Sequence, residues 1–254
     1  MRLLSAAALA TSFALFACSN EVTVVQGNGG SGGGSDGGAP AKSTTSVVTS
    51  SVASTGTGIG EPSVVYPAPH PDPPQVVDLG GAKLTSPKIV PVFFSSDDPT
   101  IKNGVPLFTQ QIGSSSYWAA IGAEYGIGPA TALAPVVLNE PPGTLLDDSD
   151  VQSWLAGKLD ANDPAFPAPD SNTLYAIFYP FGTTITLDNG DATKSTSCQE
   201  FGGYHLSTSL DAAHGHLEVA YAVIPQCGFF GTGVDDVSAP ASHEFIEAAT
   251  DAHP

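Results

Sequence analysis

Apolar positions along this chain fall into runs of two kinds. Lys88 to Ser95 (KIVPVFFS), Leu174 to Tyr179 (LYAIFY) and Leu217 to Ile224 (LEVAYAVI) are short and almost unbroken. They are rich in β-branched and aromatic residues, the mark of buried strands. Pro91 lacks a ladder donor, which places the first run at a bulge or a sheet edge. Ala132 to Leu138 and Thr183 to Leu187 predict further strands. The second of these leads into Asp188-Asn189-Gly190-Asp191, a hairpin turn sequence. Val105 to Tyr125 has helical spacing interrupted around Gly113-Ser114. Asp147 to Asp150 supplies caps and first-turn acids for a helix ending near Leu159. Ser238 to Thr250 closes the chain as a helix with Pro240 in its first turn. No internal repeat is present. Strands cluster late and a helix comes last, which predicts an α+β fold, a single mixed-sheet domain spanning 79–254.

Before residue 79 the pattern is different. Arg2 and the uncharged stretch Leu3 to Ala17 read as an export signal over residues 1–17, too short for a membrane span of about 20 apolar residues. Leu15-Phe16-Ala17-Cys18 resembles a bacterial lipobox, so Cys18 is the expected lipidation site. Residues 18–78 read as a tether. Eight of the twelve residues from Gly27 to Gly38 are Gly, and Pro67 to Pro74 is expected to be extended. Such sequence buries too little apolar area to offset its ordering entropy. Gly56-Thr57-Gly58-Ile59-Gly60 follows no strand and opens no helix, which argues against a phosphate loop.

Charge and cysteine content narrow the partners. The 254 residues carry 25 acidic and 7 basic side chains, a formal net charge of −18. Such a surface repels nucleic-acid phosphates and anionic headgroups. No nucleic acid is expected, and membrane contact is expected only through the N-terminal lipid, on a monomer. After Cys18, Cys198 and Cys227 remain, an even pair in an exported chain, so a disulfide is expected, contributing roughly 3–4 kcal/mol in the chain-entropy model.

The segment with chemistry in it is Ser242-His243-Glu244-Phe245-Ile246-Glu247-Ala248-Ala249-Thr250-Asp251. On a helix, His243 and Glu247 lie one turn apart on one face, and Asp251 extends the stripe. An imidazole and a carboxylate so placed can share a divalent ion, and Glu244 beside them can act as a general base. Zinc takes about four ligands, one position staying open in a catalytic site. The expected set is His205, His243 and Glu247, with Glu244 as catalytic base. Tyr204, His214, His216 and Asp251 are further candidates, Tyr204 as an oxyanion partner. The competing expectation is that His and Glu pair on a solvated helix. No Gly-x-Ser-x-Gly elbow is present.

Cys198, Gly203-Tyr204-His205, Ala220-Tyr221-Ala222-Val223, Cys227 and the His-Glu-x-x-Glu helix together resemble the Exordium-like, phosphate-induced-protein family. That family pairs a Cys-Gly-x-His segment with a Tyr-Ala strand, a second Cys and a His-Glu-Leu-x-Glu helix. The resemblance spans about 85 to 254 and is most specific in the last sixty residues. Here Gly202-Gly203 stands where the family has Cys-Gly. The family also usually continues past the position of Pro254, so the resemblance implies either a C-terminally shortened domain or one in which the remainder is dispensable. The resemblance implies a secreted or wall-associated protein with a zincin-like site at His205, His243 and Glu247.

The resulting expectation is a lipid-anchored extracytoplasmic protein, at the outer membrane or cell surface. It would carry a zinc-dependent, peptidase-like site acting on a peptide or wall polymer. The alternative is a non-catalytic surface module that binds the wall.

Overall fold

The computed structural model describes residues 80–190 and 193–254. The signal, Cys18, the tether and Asp191 of the expected turn lie outside the described residues. No helix among the described residues is long and apolar enough to cross a membrane.

The domain is α+β, as its pattern predicts. Its main sheet is built on three parallel strands, β1 (Lys88–Phe93), β5 (Thr173–Tyr179) and β9 (Glu218–Pro225). Two short strands, β2 (Thr131–Ala132) and β3 (Val136–Val137), pair with the outer side of β1. On the far side, β8 (Tyr204–Ser209) pairs antiparallel with β9 and ends the sheet. A smaller sheet contains β4 (Leu145–Asp147), β6 (Thr184–Asp188) and β7 (Lys194–Thr196). Among the described residues four α-helices pack with these sheets: α1 (Pro99–Ile112), α2 (Ser116–Tyr125), α3 (Asp148–Asp160) and α4 (Val234–Thr250).

The unbroken apolar runs are explained by cover on both faces. Val90, Tyr175, Ile177, Tyr221 and Val223 face α3 through Val151, Leu155 and Leu159. Their neighbours Ile89, Leu174, Phe178, Ala220 and Ala222 face α1, α2 and α4 through Val105, Trp118, Ala241, Phe245 and Ala248. Strand alternation therefore sends adjacent residues into separate cores. The small side chains of Ala220 and Ala222 leave room for α4 against β9.

Several expected boundaries move, each for a local reason. Pro91 is neither at an edge nor at a bulge, because β1 is paired on both sides. It shares the parity of Ile89 and Phe93, whose carbonyls accept from Leu133 and Leu138 on the β2/β3 side. Its missing N–H thus falls in the gap between those two strands. Pro135 opens that same gap and breaks the expected Ala132 to Leu138 strand into two. Helix α1 begins before Val105, where the Asp98 carboxylate caps Thr100 N–H at 2.7 Å and Pro99 starts the first turn. The expected interruption lies at Gly113, where a Cβ would sit 2.4 Å from the Ala130 carbonyl oxygen. Helix α4 begins at Val234, so Pro240 lies inside the helix rather than in its first turn. One i→i−4 bond is lost there and the helix continues.

The disulfide Cys198–Cys227 is formed and closes a separation of 29 residues. The adjoining loop is held by Asp236, a buried carboxylate in the first turn of α4. It accepts from the backbone N–H groups of Cys227 at 3.0 Å and Gly228 at 2.8 Å. An acid there also suits the positive end of the helix dipole.

Candidate functional site

The site forms where β8 meets α4. Along β8 the alternation turns Tyr204 into the α3-side core and His205 toward α4. On α4 the apolar stripe Val237, Ala241, Phe245, Ala248 lies against the sheet. Glu244 is three residues from Glu247, and both carboxylates reach the His205 ring. His205 Nδ1 lies 3.3 Å from Glu244 Oε2 and 3.5 Å from Glu247 Oε2. The other oxygen of Glu247, Oε1, lies 3.1 Å from His243 Nε2. The chain of contacts therefore runs from a buried end, Glu244 at 5% exposure, to an open end, where the His243 side chain is 53% exposed.

One ligand atom each from His205, Glu244 and Glu247 lies within 4.8 Å of the others. Donors about 2.0–2.1 Å from a tetrahedral zinc ion stand roughly 3.3–3.4 Å apart. The spacings from His205 Nδ1 are thus close to those that zinc demands. The opposite ring nitrogen, His205 Nε2, is buried without a hydrogen-bond partner. A buried ring nitrogen left unpaired is costly, and this one is on the side of the ring away from the two carboxylates.

Two glycines precede this strand. A Cβ on Gly203 would lie 3.0 Å from Glu244 Oε1, 3.1 Å from its Cγ and 3.3 Å from the Val223 carbonyl oxygen. Gly203 therefore makes the space in which the Glu244 carboxylate sits. Gly202 does not, since a Cβ there would make only ordinary contact with the Phe229 ring at 3.8 Å.

The electrostatics centre on Glu247. Burial raises its carboxyl above the usual range, and the negative charges of Glu244 and Asp251 push the same way. The His243 and His205 rings oppose that rise without cancelling it. Two carboxylates crowded against one imidazole, with one pKa raised, is a usual state for a cation site whose donors repel one another.

The converging set differs from the expected one. Glu244 replaces His243 in it, because residues three apart on α4 flank the sheet while His243 turns toward solvent. His243 keeps contact through Glu247. The expected oxyanion role of Tyr204 is overturned. Its hydroxyl donates to Asp148 Oδ1 at 2.7 Å on the opposite face of the sheet, beside the Tyr221 hydroxyl at the same distance. Burial and the Asp148 carboxylate push both phenol groups far above their ordinary range. His214 ends a short 3₁₀ turn, Ala212–His214, and pairs with Asp160 at 3.2 Å and Asp211 at 3.1 Å. His216 takes a left-handed conformation in the following turn and belongs to neither cluster. Asp251 caps α4 and acts on Glu247 through its charge, outside the converging set.

Three residues with clear structural work had no function assigned by pattern. Gly203 had a visible signal in its Gly-Gly pair, which stood out only as a departure from a family pattern. Asp148 reads as a helix-start acid, and Asp236 lies before the expected start of the last helix and has no role assigned. Their burial, and the partners they collect from distant segments, have no sequence signature.

Comparison of the chain with protein-family models, with curated proteins and with solved structures finds no match.

Proposed function

We propose that this chain is an exported, lipid-anchored protein whose head domain binds one zinc ion at His205, Glu244 and Glu247 and uses it to hydrolyse a peptide-like substrate. The observation that carries this reading is the convergence of the three donors from β8 and α4, with both carboxylates at near-ligand spacing from His205 Nδ1. Lipid attachment at Cys18, cleavage of residues 1–17 and placement at the outer membrane or cell surface belong to the same proposal. They rest on the signal-like N-terminus, and the disulfide between Cys198 and Cys227 fits an oxidising compartment.

The donor set suits zinc, with one imidazole nitrogen and carboxylate oxygens. Bound zinc supplies Lewis-acid polarisation of a carbonyl and an acidified water. The protein residues do the rest. The strand pairing of β8 fixes the face from which the His205 side chain leaves, the one toward α4. Glu244, packed above Gly203, holds its carboxylate against that ring and excludes solvent from the inner end. Glu247 spans the two histidines, with Oε2 toward His205 and Oε1 toward His243. His243 at the open rim, with its Nε2 on Glu247 Oε1, is placed to pass a proton between solvent and the site. In this arrangement Glu244 and Glu247 would both be ligands, and the base role expected of Glu244 passes outward to His243, which Glu247 Oε1 holds at 3.1 Å.

A second reading is favoured by one observation. The contacts His205–Glu244, His205–Glu247 and His243–Glu247 also close as an ion-pair network without metal. On that reading the head is a non-catalytic wall-binding module. Equilibrium dialysis of the purified chain against zinc, read by elemental analysis, separates the two. One zinc per chain, lost in His205→Ala, is expected, and peptide cleavage should be lost in Glu247→Gln. A chain that takes up no divalent metal refutes the zinc reading.

A further inference from the structure

The main sheet has two ends, and they are finished differently. Beyond β1 the sheet ends in two strands of two residues each, separated by Pro135. Short strands and proline are usual ways to stop edge pairing. The other end is β8, six residues long, YHLSTS. It carries no lysine, no proline and no bulge in its pairing with β9. Among the described residues no strand pairs with its outer side.

Hydrogen-bond parity shows which groups that edge presents. Leu210 N–H donates to the Leu217 carbonyl at 2.9 Å, continuing the β8–β9 register by one step. On the other side of β9, Gln226 N–H donates to the Tyr179 carbonyl of β5, which fixes the same alternation. In an antiparallel pair, hydrogen-bonded and non-bonded residues alternate. Tyr204, Leu206 and Thr208 therefore bond to β9. His205, Ser207 and Ser209 point their backbone N–H and C=O away from the sheet.

The residue that starts this outward-facing row is also the one that reaches Glu244 and Glu247. An extended chain laid along β8 would pair residue for residue with it. Directly opposed residues on neighbouring strands have Cβ atoms about 4.5–5.5 Å apart. The residue opposite His205 would thus lie beside the α4 carboxylates. An extended peptide presents the same two-residue rhythm of N–H and C=O, and main-chain bonds can hold it with little demand on side chains. The net charge of −18 favours a basic peptide over an acidic one.

We propose that the outer edge of β8 is the docking site for an extended, neutral-to-basic peptide, which binds as an added strand and delivers its backbone to the His205 site. This deepens, and rests on, the hydrolase reading of that site, naming an unfolded peptide segment as its substrate class.

The test uses the full chain and a blocked, fluorescently labelled peptide, Lys-Val-Thr-Val-Thr-Val-Lys, with a second version N-methylated at alternate residues. Because Ser207 N–H faces outward, Ser207→Pro removes an edge donor without removing a backbone bond to β9. Ser207→Ala, which like it loses the Ser207 Oγ bond to Glu218 Oε1 at 2.7 Å but keeps the edge donor, is the control and should bind as the unaltered chain does. Fluorescence anisotropy should show at least tenfold weaker binding for Ser207→Pro, and for the N-methylated peptide with the unaltered chain. Hydrogen exchange should show the amides of His205, Ser207 and Ser209 unprotected in the free chain and protected by the peptide. Equal binding of the methylated peptide, or no binding of either, overturns the proposal. So does protection of these amides before peptide is added, which would mark the chain's own N-terminal segment or a second copy as the occupant. Zinc uptake measured on the same samples separates the two claims. In the unaltered chain, zinc uptake without peptide binding rejects only the docking site, and peptide binding without zinc uptake rejects only the metal reading.

Discussion

Replacing Gly203 with alanine tests the site through one methyl group. Neither Gly202 nor Gly203 has the positive φ that would strain an alanine, so the backbone accepts the change at both positions. The difference between them is space. At Gly203 the new Cβ would meet Glu244 Oε1 at 3.0 Å, Glu244 Cγ at 3.1 Å and the Val223 carbonyl oxygen at 3.3 Å. The carbonyl belongs to the central strand β9 and cannot retreat, so Glu244 must move. Overpacking a fixed site costs typically about 1–3 kcal/mol, against a gain of about 0.4–1 kcal/mol from the stiffer unfolded chain. The net expectation is a loss of about 1–2 kcal/mol, or a Tm lower by roughly 2–8 °C for a domain of this size. Displacement of Glu244 by even part of an ångström breaks the near-ligand spacing to His205, so zinc affinity should fall at least tenfold. Gly202→Ala meets only the Phe229 ring, at 3.8 Å, and should be neutral in both measurements. Calorimetric melting with and without zinc, together with zinc titration, reads both effects. If Gly203→Ala binds zinc as tightly as the unaltered chain, Glu244 is not held where the argument needs it. Equal destabilisation by the two alanines would mean that the steric reasoning is wrong.

Other outcomes follow from groups away from the site. Burial raises the Asp97 carboxyl to about 6, against its bonds from Phe94 N–H and Gln226 and the charge of Lys102. Because the folded value lies above the ordinary 3.8, its contribution is fully present below about pH 4 and is lost as pH rises through 6. Discounted for solvent screening, that loss is about 2 kcal/mol. Urea midpoints should therefore fall less between pH 4 and 7 in Asp97→Asn than in the unaltered chain, and parallel profiles would refute this. Replacing Cys198 and Cys227 together by serine should cost about 2–4 kcal/mol, read as a lower urea midpoint. An unchanged midpoint would show that Asp236 alone holds the loop. Tyr204→Phe removes one of the two hydroxyls donating to Asp148 Oδ1 and should cost about 1–2 kcal/mol with zinc affinity unchanged. A loss of zinc affinity would reopen a role for Tyr204 in the site.

Much of the fold is visible in local pattern. The runs at Lys88, Leu174 and Leu217 are strands because their side chains suit a pleated surface buried on both faces. The acids at 147–150 start a helix because they cap it, Asp150 accepting from Asp147 N–H at 2.8 Å. Proline was misread twice, for the same reason. Pro91 and Pro240 each lack a donor, but whether that donor is needed depends on what lies opposite, which local sequence does not contain. For the candidate site, pattern named the helix and the strand residue that the structure brings together. It chose His243 over Glu244, because one-turn spacing is the obvious feature of an isolated helix. The direction the helix turns relative to β8 decides otherwise.

What the sequence determined on its own is therefore the kind of chain and its local grammar. It contains a signal-like start, a Gly- and Pro-rich stretch, an acidic balance, strand and helix runs, an even cysteine pair, and a His-Glu-x-x-Glu segment. These depend on composition and on spacing along one element, and both are properties of neighbours in the chain. Tertiary structure alone decided that Glu244 faces His205 across the gap above Gly203, that Tyr204 faces away toward Asp148, and that among the described residues no strand covers the outer edge of β8. Each of these depends on which face of one element meets another. That choice is made by burying apolar stripes far apart in sequence, and polar side chains go where the buried stripes leave them.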